Sequence, residues 1–443
     1  MNEQDSGTML RLLEGQGYDS TDTPEDADVI LINTCSVREK PGQKVRSLLG
    51  RFRPLKAERK SLVIGVTGCY AQQESGGLLK SFPWVDLVMG PDAITRLPAL
   101  LDDVQVGRKR MLATEQLDRQ DYPFANETIA RDSRKVTAFV NIQKGCDNLC
   151  SFCIVPYTRG REVSRPADEV VSEVRRLVEA GVSEVTLLGQ NVNSYGVKRS
   201  GEPAFHELVA RIASDTDIQR IRFTTSNPWD LDRGLIELFA SEPKLTSYFH
   251  LPVQAGADSM LTRMRRRHSR AEYIDLIAAL RQARPDIAFS TDIIVGFPEE
   301  TEEEHEATLS LLEEVRYDFI YSFNYNERPF TPASRKLPDD IPKDVKSRRL
   351  QEIQGLQKKI TAEIMQGWEG KTAEVLVEGP SRRDPSWMSG RLSQNWIVNF
   401  SGGDRLIGQR VDVTVERALS NSMQGVLPTR ESTGAGSRLQ VLS

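Results

Sequence analysis

The chain has 443 residues, of which 39% are hydrophobic and 27% charged. That is ample apolar material for packed cores and excludes wholesale disorder; at roughly 150 residues per domain it suggests about three domains. The net charge of −5 is local: residues 1–40 carry −6 and the remainder +1, so a pI near 5.7 neither indicates nor excludes a nucleic-acid partner, which needs only a local basic face.

No run of about 18 apolar residues exists for a membrane span, and no basic-then-apolar signal pattern stands at the N-terminus. A cytoplasmic protein without a membrane partner is the expectation. Five cysteines are too few, and odd in number, for a disulfide scaffold. In a reducing compartment, clustered cysteines point to metal or redox chemistry.

In chain order, MLRLLEGQGY (9–18) predicts a helix stopped by glycine, DVILIN (28–33) a strand buried on both faces, and residues 40–53 a helix. SLVIGVTG (61–68) and DLVMG (86–90) predict two more strands, and 92–102 a helix. This is a small parallel α/β domain, 1–106, that opens unusually on a helix. Polar residues 107–134 read as a linker.

A longer α/β series follows over 135–365. Strands are expected at 135–143, 183–189, 220–226, 246–253, 287–296 and 317–325, with helices such as 167–181 and 269–283 between them. Six βα repeats predict a partial (β/α)6 barrel; a doubly wound sheet fits the same periodicity. A charged connecting helix is expected within 337–370. Short strands with turn residues at 366–430 predict a small all-β domain, and 431–443 a loose tail.

Cys146, Cys150 and Cys153 form CDNLCSFC, a CxxxCxxC spacing after the first strand of the central series. Three thiolates on one short loop suit a single metal centre. Tetrahedral zinc needs a fourth ligand, and neither His nor a fourth Cys lies nearby. A three-cysteine [4Fe–4S] cluster instead leaves one iron open to a substrate or cofactor. The loop falls at a strand end, where barrel active sites lie. Cys35 (LINTC) and Cys69 (VTGC) each follow an apolar strand, so a parallel sheet would bring both to one edge.

With an aromatic before its last cysteine, CxxxCxxC resembles the radical S-adenosylmethionine (radical SAM) superfamily. NTCSVREK, GVTGCYAQ, KGCDNLCSFCIVPYTRGREVSR, LLGQNVNSYG, HLPVQAG, DIIVGFPEET and NYNERPFTPA together resemble the methylthiotransferases, and CSVREK is similar to the bacterial tRNA enzymes of the MiaB type. The resemblance spans about 1–430. It implies an N-terminal methylthiotransferase domain, a radical SAM core and a C-terminal TRAM domain.

The implied activity is methylthio transfer to carbon 2 of isopentenyl-adenosine next to the tRNA anticodon, with two SAM molecules used per turnover. A ribosomal-protein methylthiotransferase and a non-catalytic metal-containing tRNA-binding protein are the alternatives. Cys146, Cys150 and Cys153 would hold the catalytic cluster whose open iron binds SAM, with Phe152 against the adenine. Gly189, Gln190, Asn191, Ser226, Asn227, His250, Gln254 and Gly296, all near strand ends, would contact SAM or support the site. Cys35 and Cys69 would hold an auxiliary [4Fe–4S] cluster that carries sulfur. A reductant such as flavodoxin or ferredoxin, a sulfur donor and a monomeric state are expected.

The family's third auxiliary ligand comes from a GCQMN-type segment upstream of MNEQDS. The expectation is a short N-terminal truncation that removed it and an auxiliary cluster that assembles poorly.

Two departures stand out. Glu299 replaces a glycine of GFPGET and Phe330 one of RPGTPA, so both loops are expected to differ locally. For RNA, Arg263, Arg265, Arg266, Arg267 and His268 form one candidate patch, and Arg382, Arg383 and Arg391 another, with Trp387 and Trp396 as exposed aromatics.

Overall fold

The computed structural model describes residues 1–36, 39–107, 109–117, 122–124, 135–197 and 201–428, the side chains of 39–41 excepted. Val37 and Arg38 of CSVREK, most of the expected linker and the tail lie outside the described residues.

The first domain is a parallel sheet of β1 (Val29–Asn33), β2 (Val63–Thr67), β3 (Leu87–Met89) and β4 (Met111–Ala113), in that spatial order. Strand alternation serves two cores. Val63 faces the helices Asn2–Glu14 and Leu97–Gly107, while Ile64 and Val66 face Val45 and Leu49 of the helix Glu39–Glu58. β4 lies inside the stretch expected to be linker. Three residues suffice because its backbone pairs with β3 along an edge.

The central domain carries β5 (Thr137–Asn141), the short antiparallel pair β6 (Gln143–Lys144) and β7 (Val163–Ser164), then β8 (Glu184–Leu188), β9 (Arg220–Phe223), β10 (Tyr248–His250), β11 (Ala288–Val295) and β12 (Phe319–Asn324). β5-β8-β9 and β10-β11-β12 are parallel sheets, joined by one parallel bridge from Ile221 to Leu245. The strands follow chain order without reversal, so this is the partial barrel and not the doubly wound sheet. Phe223 anchors the core, meeting Phe205, Phe249 and Phe239 edge to face at 5.0, 5.2 and 6.1 Å. Helices Ala167–Glu179, Phe205–Asp215, Arg233–Ser241, Arg270–Ala283 and Glu302–Val315 return the chain between strands.

The helix Lys343–Gln366 leads to a closed barrel of β13 (Thr372–Pro380), β14 (Trp387–Leu392), β15 (Ile397–Ser401), β16 (Arg410–Ala418) and β17 (Met423–Val426). Closure removes the edges that a small sheet would expose. This barrel rests on the N-terminal ends of the central strands. Ser183 Oγ donates to Gly408 O (3.1 Å), and Arg220 to Arg391 O (2.8 Å) and Glu374 (3.0 Å). Trp396 is not an exposed aromatic: it is 1% exposed and packs on Phe319, ring centroids 4.0 Å apart. Trp387 is half-buried.

The two glycine departures also resolve. Glu299 (φ +63°) and Phe330 (φ +71°) are both left-handed, so the loops keep a glycine-type backbone despite their side chains. Such a conformation costs an ordinary residue roughly 1 kcal/mol. The Glu299 bond to Asp340 Oδ1 (2.9 Å) uses its backbone N–H, which glycine would keep. Glu299→Gly is therefore expected to stabilise the protein by about 0.5–1 kcal/mol, read as a higher urea midpoint at unchanged slope.

Candidate cofactor site

The cysteine loop begins where β6 ends. Gly145 is left-handed (φ +75°), and a Cβ there would lie 2.0 Å from Arg161 O. Only glycine lets the two segments approach so closely. Beside it, Cys146 N donates to Gly160 O (3.3 Å). Ser151 pins the loop's middle. Its N–H donates to Met264 O (3.0 Å), its hydroxyl to Arg263 O (2.8 Å), and its carbonyl accepts from Ala333 N (2.8 Å).

Cys146 and Cys150 are buried, and Cys153 is half-buried. Burial pushes the Cys146 thiol up to about 12, and the nearby Cys150 adds to it. Burial likewise pushes Cys153 to about 12, reinforced by Cys150 and Cys146. Burial is the larger cause for both thiols, and the neighbouring cysteines add to it. Among the described residues no three His, Cys, Asp or Glu side chains are grouped to hold a single ion. Three thiols on one loop are the soft donors that iron–sulfur clusters take. Arg266 Nη1 lies 3.5 Å from Cys150 Sγ and its Nη2 donates to Pro252 O (2.6 Å).

The parallel register brings the expected strand-end residues to one end of the barrel. Gln190 accepts from Gly145 N and its amide lies against Met1 Sδ. Asn191 and Asn148 of the cysteine loop both donate to Asp230 Oδ2, at 2.6 and 3.2 Å. Among the described residues Ser226 Oγ and Asn191 Oδ1 are buried without a protein partner, which suits a polar ligand. Asn227 is engaged within the fold: its side chain caps Trp229 N (3.2 Å) and its backbone exchanges two bonds with Asn193. His250 Nδ1 meets Ser290 Oγ at 2.7 Å. Gln254 is left-handed and bridges the backbone of Asp292 and Ile294. Gly296 packs so closely on Lys346 that a Cβ would lie 2.3 Å from its Cγ. Phe152 packs against the buried cluster that includes Met260, Phe297 and Ala333.

Asn33 pairs with Thr67, so Cys35 and Cys69 each lie two residues past the end of the β1–β2 ladder, at one sheet edge. Arg159 Nε donates to Cys69 Sγ (3.1 Å), while its Nη2 reaches Asp5 and Asn2. Sequence reasoning missed Arg159, whose one signal was its place six residues beyond Cys153. It also missed Asp230, and the buried Lys144–Asp92 pair (2.5 Å) covered by the Tyr122 ring.

The first basic patch is largely turned inward. Arg263 pairs with Glu304, Arg266 serves the cysteine loop, and His268 is buried with neither ring nitrogen bonded. Arg265 and Arg267 alone of this run are fully exposed. In the second patch Arg382 and Arg383 are exposed, and Arg391 pairs with Glu378 (3.0 Å).

Burial, aided by the Arg266 charge, depresses His268 to about 3. The unfolded chain binds that proton from about pH 6.5 downward while the folded chain refuses it, so stability falls as pH drops below 6.5. His268→Phe should remove this term: no gain at pH 8, and up to about 2 kcal/mol at pH 5, checked by urea unfolding at both pH values. Gly145→Ala should cost at least about 2 kcal/mol by the same measurement, because backbone must move.

Three family descriptions match the chain: the radical SAM superfamily over 140–312, the uncharacterized protein family UPF0004 over 1–90, and the TRAM domain over 368–427. The chain is 49% identical to a tRNA-2-methylthio-N(6)-dimethylallyladenosine synthase of Myxococcus xanthus, covering 96% of this chain and 91% of that one. It is 48% identical to the Bordetella pertussis protein of the same name, covering 98% of each. Among solved structures, the radical S-adenosylmethionine methyltransferase TsrM of Kitasatospora setae shares the fold, with TM-score 0.51 at 15% identity, over 74% of this chain and 68% of that one. At such identity over nearly the whole length, the chain belongs to the family of tRNA-2-methylthio-N(6)-dimethylallyladenosine synthases.

Proposed function

We propose that this chain adds a methylthio group to carbon 2 of isopentenyl-adenosine next to the anticodon of tRNA, as a radical SAM enzyme. The observation that carries the reading is near-full-length identity of 48–49% to proteins of that name, together with a cysteine loop at the ligand-binding end of the barrel. Cys146, Cys150 and Cys153 would hold a [4Fe–4S] cluster with an open iron for SAM, and Cys35 and Cys69 would contribute to a second. When bound, these groups supply the electron that cleaves SAM and the sulfur that is transferred.

The protein's own contribution is placement. Ser151 anchors the loop between two neighbouring segments, and Asp230 ties it to the ends of β8 and β9. Arg266 offers an N–H to Cys150, a contact of the kind that tunes cluster potential. Arg159 does the same for Cys69. Burial of the thiols keeps water away from the ligand set. Gln190, Asn191, Ser226 and His250 remain the candidates for SAM contact; Asn227, Gln254 and Gly296 support the backbone around them. An external reductant of the flavodoxin or ferredoxin type and a sulfur donor complete the reaction. The exposed Arg382 and Arg383 of the C-terminal barrel suit RNA phosphates.

Mass spectrometry of tRNA nucleosides from cells lacking the enzyme tests this. The gene extended by a GCQMN-type segment should restore the methylthio base, and the same gene carrying Cys146→Ala should not. On purified, anaerobically reconstituted protein, Cys146→Ala should lose SAM cleavage while Cys69→Ala retains it. Zinc without sulfide in the reconstituted protein, or no change in the tRNA base, would sink the reading.

A further inference from the structure

We propose that Tyr157 and Phe330 form a stacking platform for an unpaired nucleobase of the tRNA loop, beside the base that is modified; this rests on the tRNA reading above. Both residues are fastened to the cysteine loop. Tyr157 lies in the helical turn Val155–Thr158 directly after Cys153. Phe330 directly precedes the Thr331-capped turn Pro332–Lys336, whose Ala333 N donates to Ser151 O. The two rings meet at 6.2 Å between centroids, tilted by 36°.

Their surface is offered to solvent: Tyr157 is 37% and Phe330 48% exposed. Large aromatics normally bury their faces. The backbone adds an independent argument. Phe330 sits at φ +71°, an outlier for a bulky side chain, where glycine would be unstrained. Its half-exposed ring gains too little packing to explain that strain. Strain kept at such a position points to a role outside the fold itself.

The surroundings match a nucleic-acid ligand. Arg161, with its side chain 67% exposed and 3.6 Å from Asp147 Oδ1, lies on the segment that holds Gly145. Arg265 and Arg267 are exposed just after Met264, whose carbonyl takes the Ser151 N–H. Cations of this kind meet phosphates, while splayed loop bases stack on exposed rings.

The test uses the full chain with its clusters reconstituted and an anticodon stem-loop carrying isopentenyl-adenosine. Phe330→Gly should leave the melting temperature equal or higher and leave tRNA-independent SAM cleavage unchanged. Its stem-loop Kd should rise by about 5- to 100-fold, the range that base–aromatic stacking covers. Phe330→Trp should bind like wild type, whereas Phe330→Leu should bind like the glycine variant. A stem-loop made abasic beside the target should weaken wild type by a similar factor and Phe330→Gly no further. Unchanged affinity in Phe330→Gly, or full rescue by leucine, would overturn the platform alone. A wild-type chain that ignores the stem-loop would overturn the tRNA reading and the platform with it.

Discussion

The close approach at Gly145 governs the geometry of the whole site. The end of β6 and the segment Gly160–Arg161 touch backbone to backbone, in a space that no side chain can enter. That contact sets where Cys146 leaves the barrel. It also directs Arg159, the residue before Gly160, into the first domain, where it reaches Cys69. One short segment therefore sets the position of both cysteine groups.

Burial supplies the second half of the design. Thiols in an apolar setting resist ionisation, and burial raises both Cys146 and Cys153. Each cysteine group has one guanidinium N–H aimed at a sulfur, Arg266 at Cys150 and Arg159 at Cys69. Meanwhile the small β barrel lies at the opposite end of the central strands, fastened through Arg220, Ser183 and Trp396. The cysteine loop and the small barrel thus occupy opposite ends of the central strands.

Much of this was legible in the sequence because it depends on local rules. Apolar runs marked the buried strands, and the CxxxCxxC spacing singled out the candidate ligand loop. The order of the central βα units suggested a barrel, yet a doubly wound sheet has the same periodicity. Only the pairing register, with β8 between β5 and β9, separates the two. The short edge strand β4 carried too few residues to stand out from its polar surroundings.

Side-chain direction was the part that composition could not supply. Arg263, Arg266 and His268 read as a basic RNA patch because charge in a sequence carries no heading; packing turned all three inward. Trp396 read as an exposed base-stacking ring and became a core residue when the barrel docked on Phe319. Glu299 and Phe330 read as departures that reshape their loops, whereas both positions keep a left-handed, glycine-type backbone. The sequence by itself determined which residues are able to bind metal and which segments become strands, since both follow from residue chemistry and near-neighbour spacing. Tertiary structure decided which charges face the cysteines and which aromatics face solvent, because those choices rest on contacts between segments far apart in the chain, such as Arg266 and Cys150 or Tyr157 and Phe330.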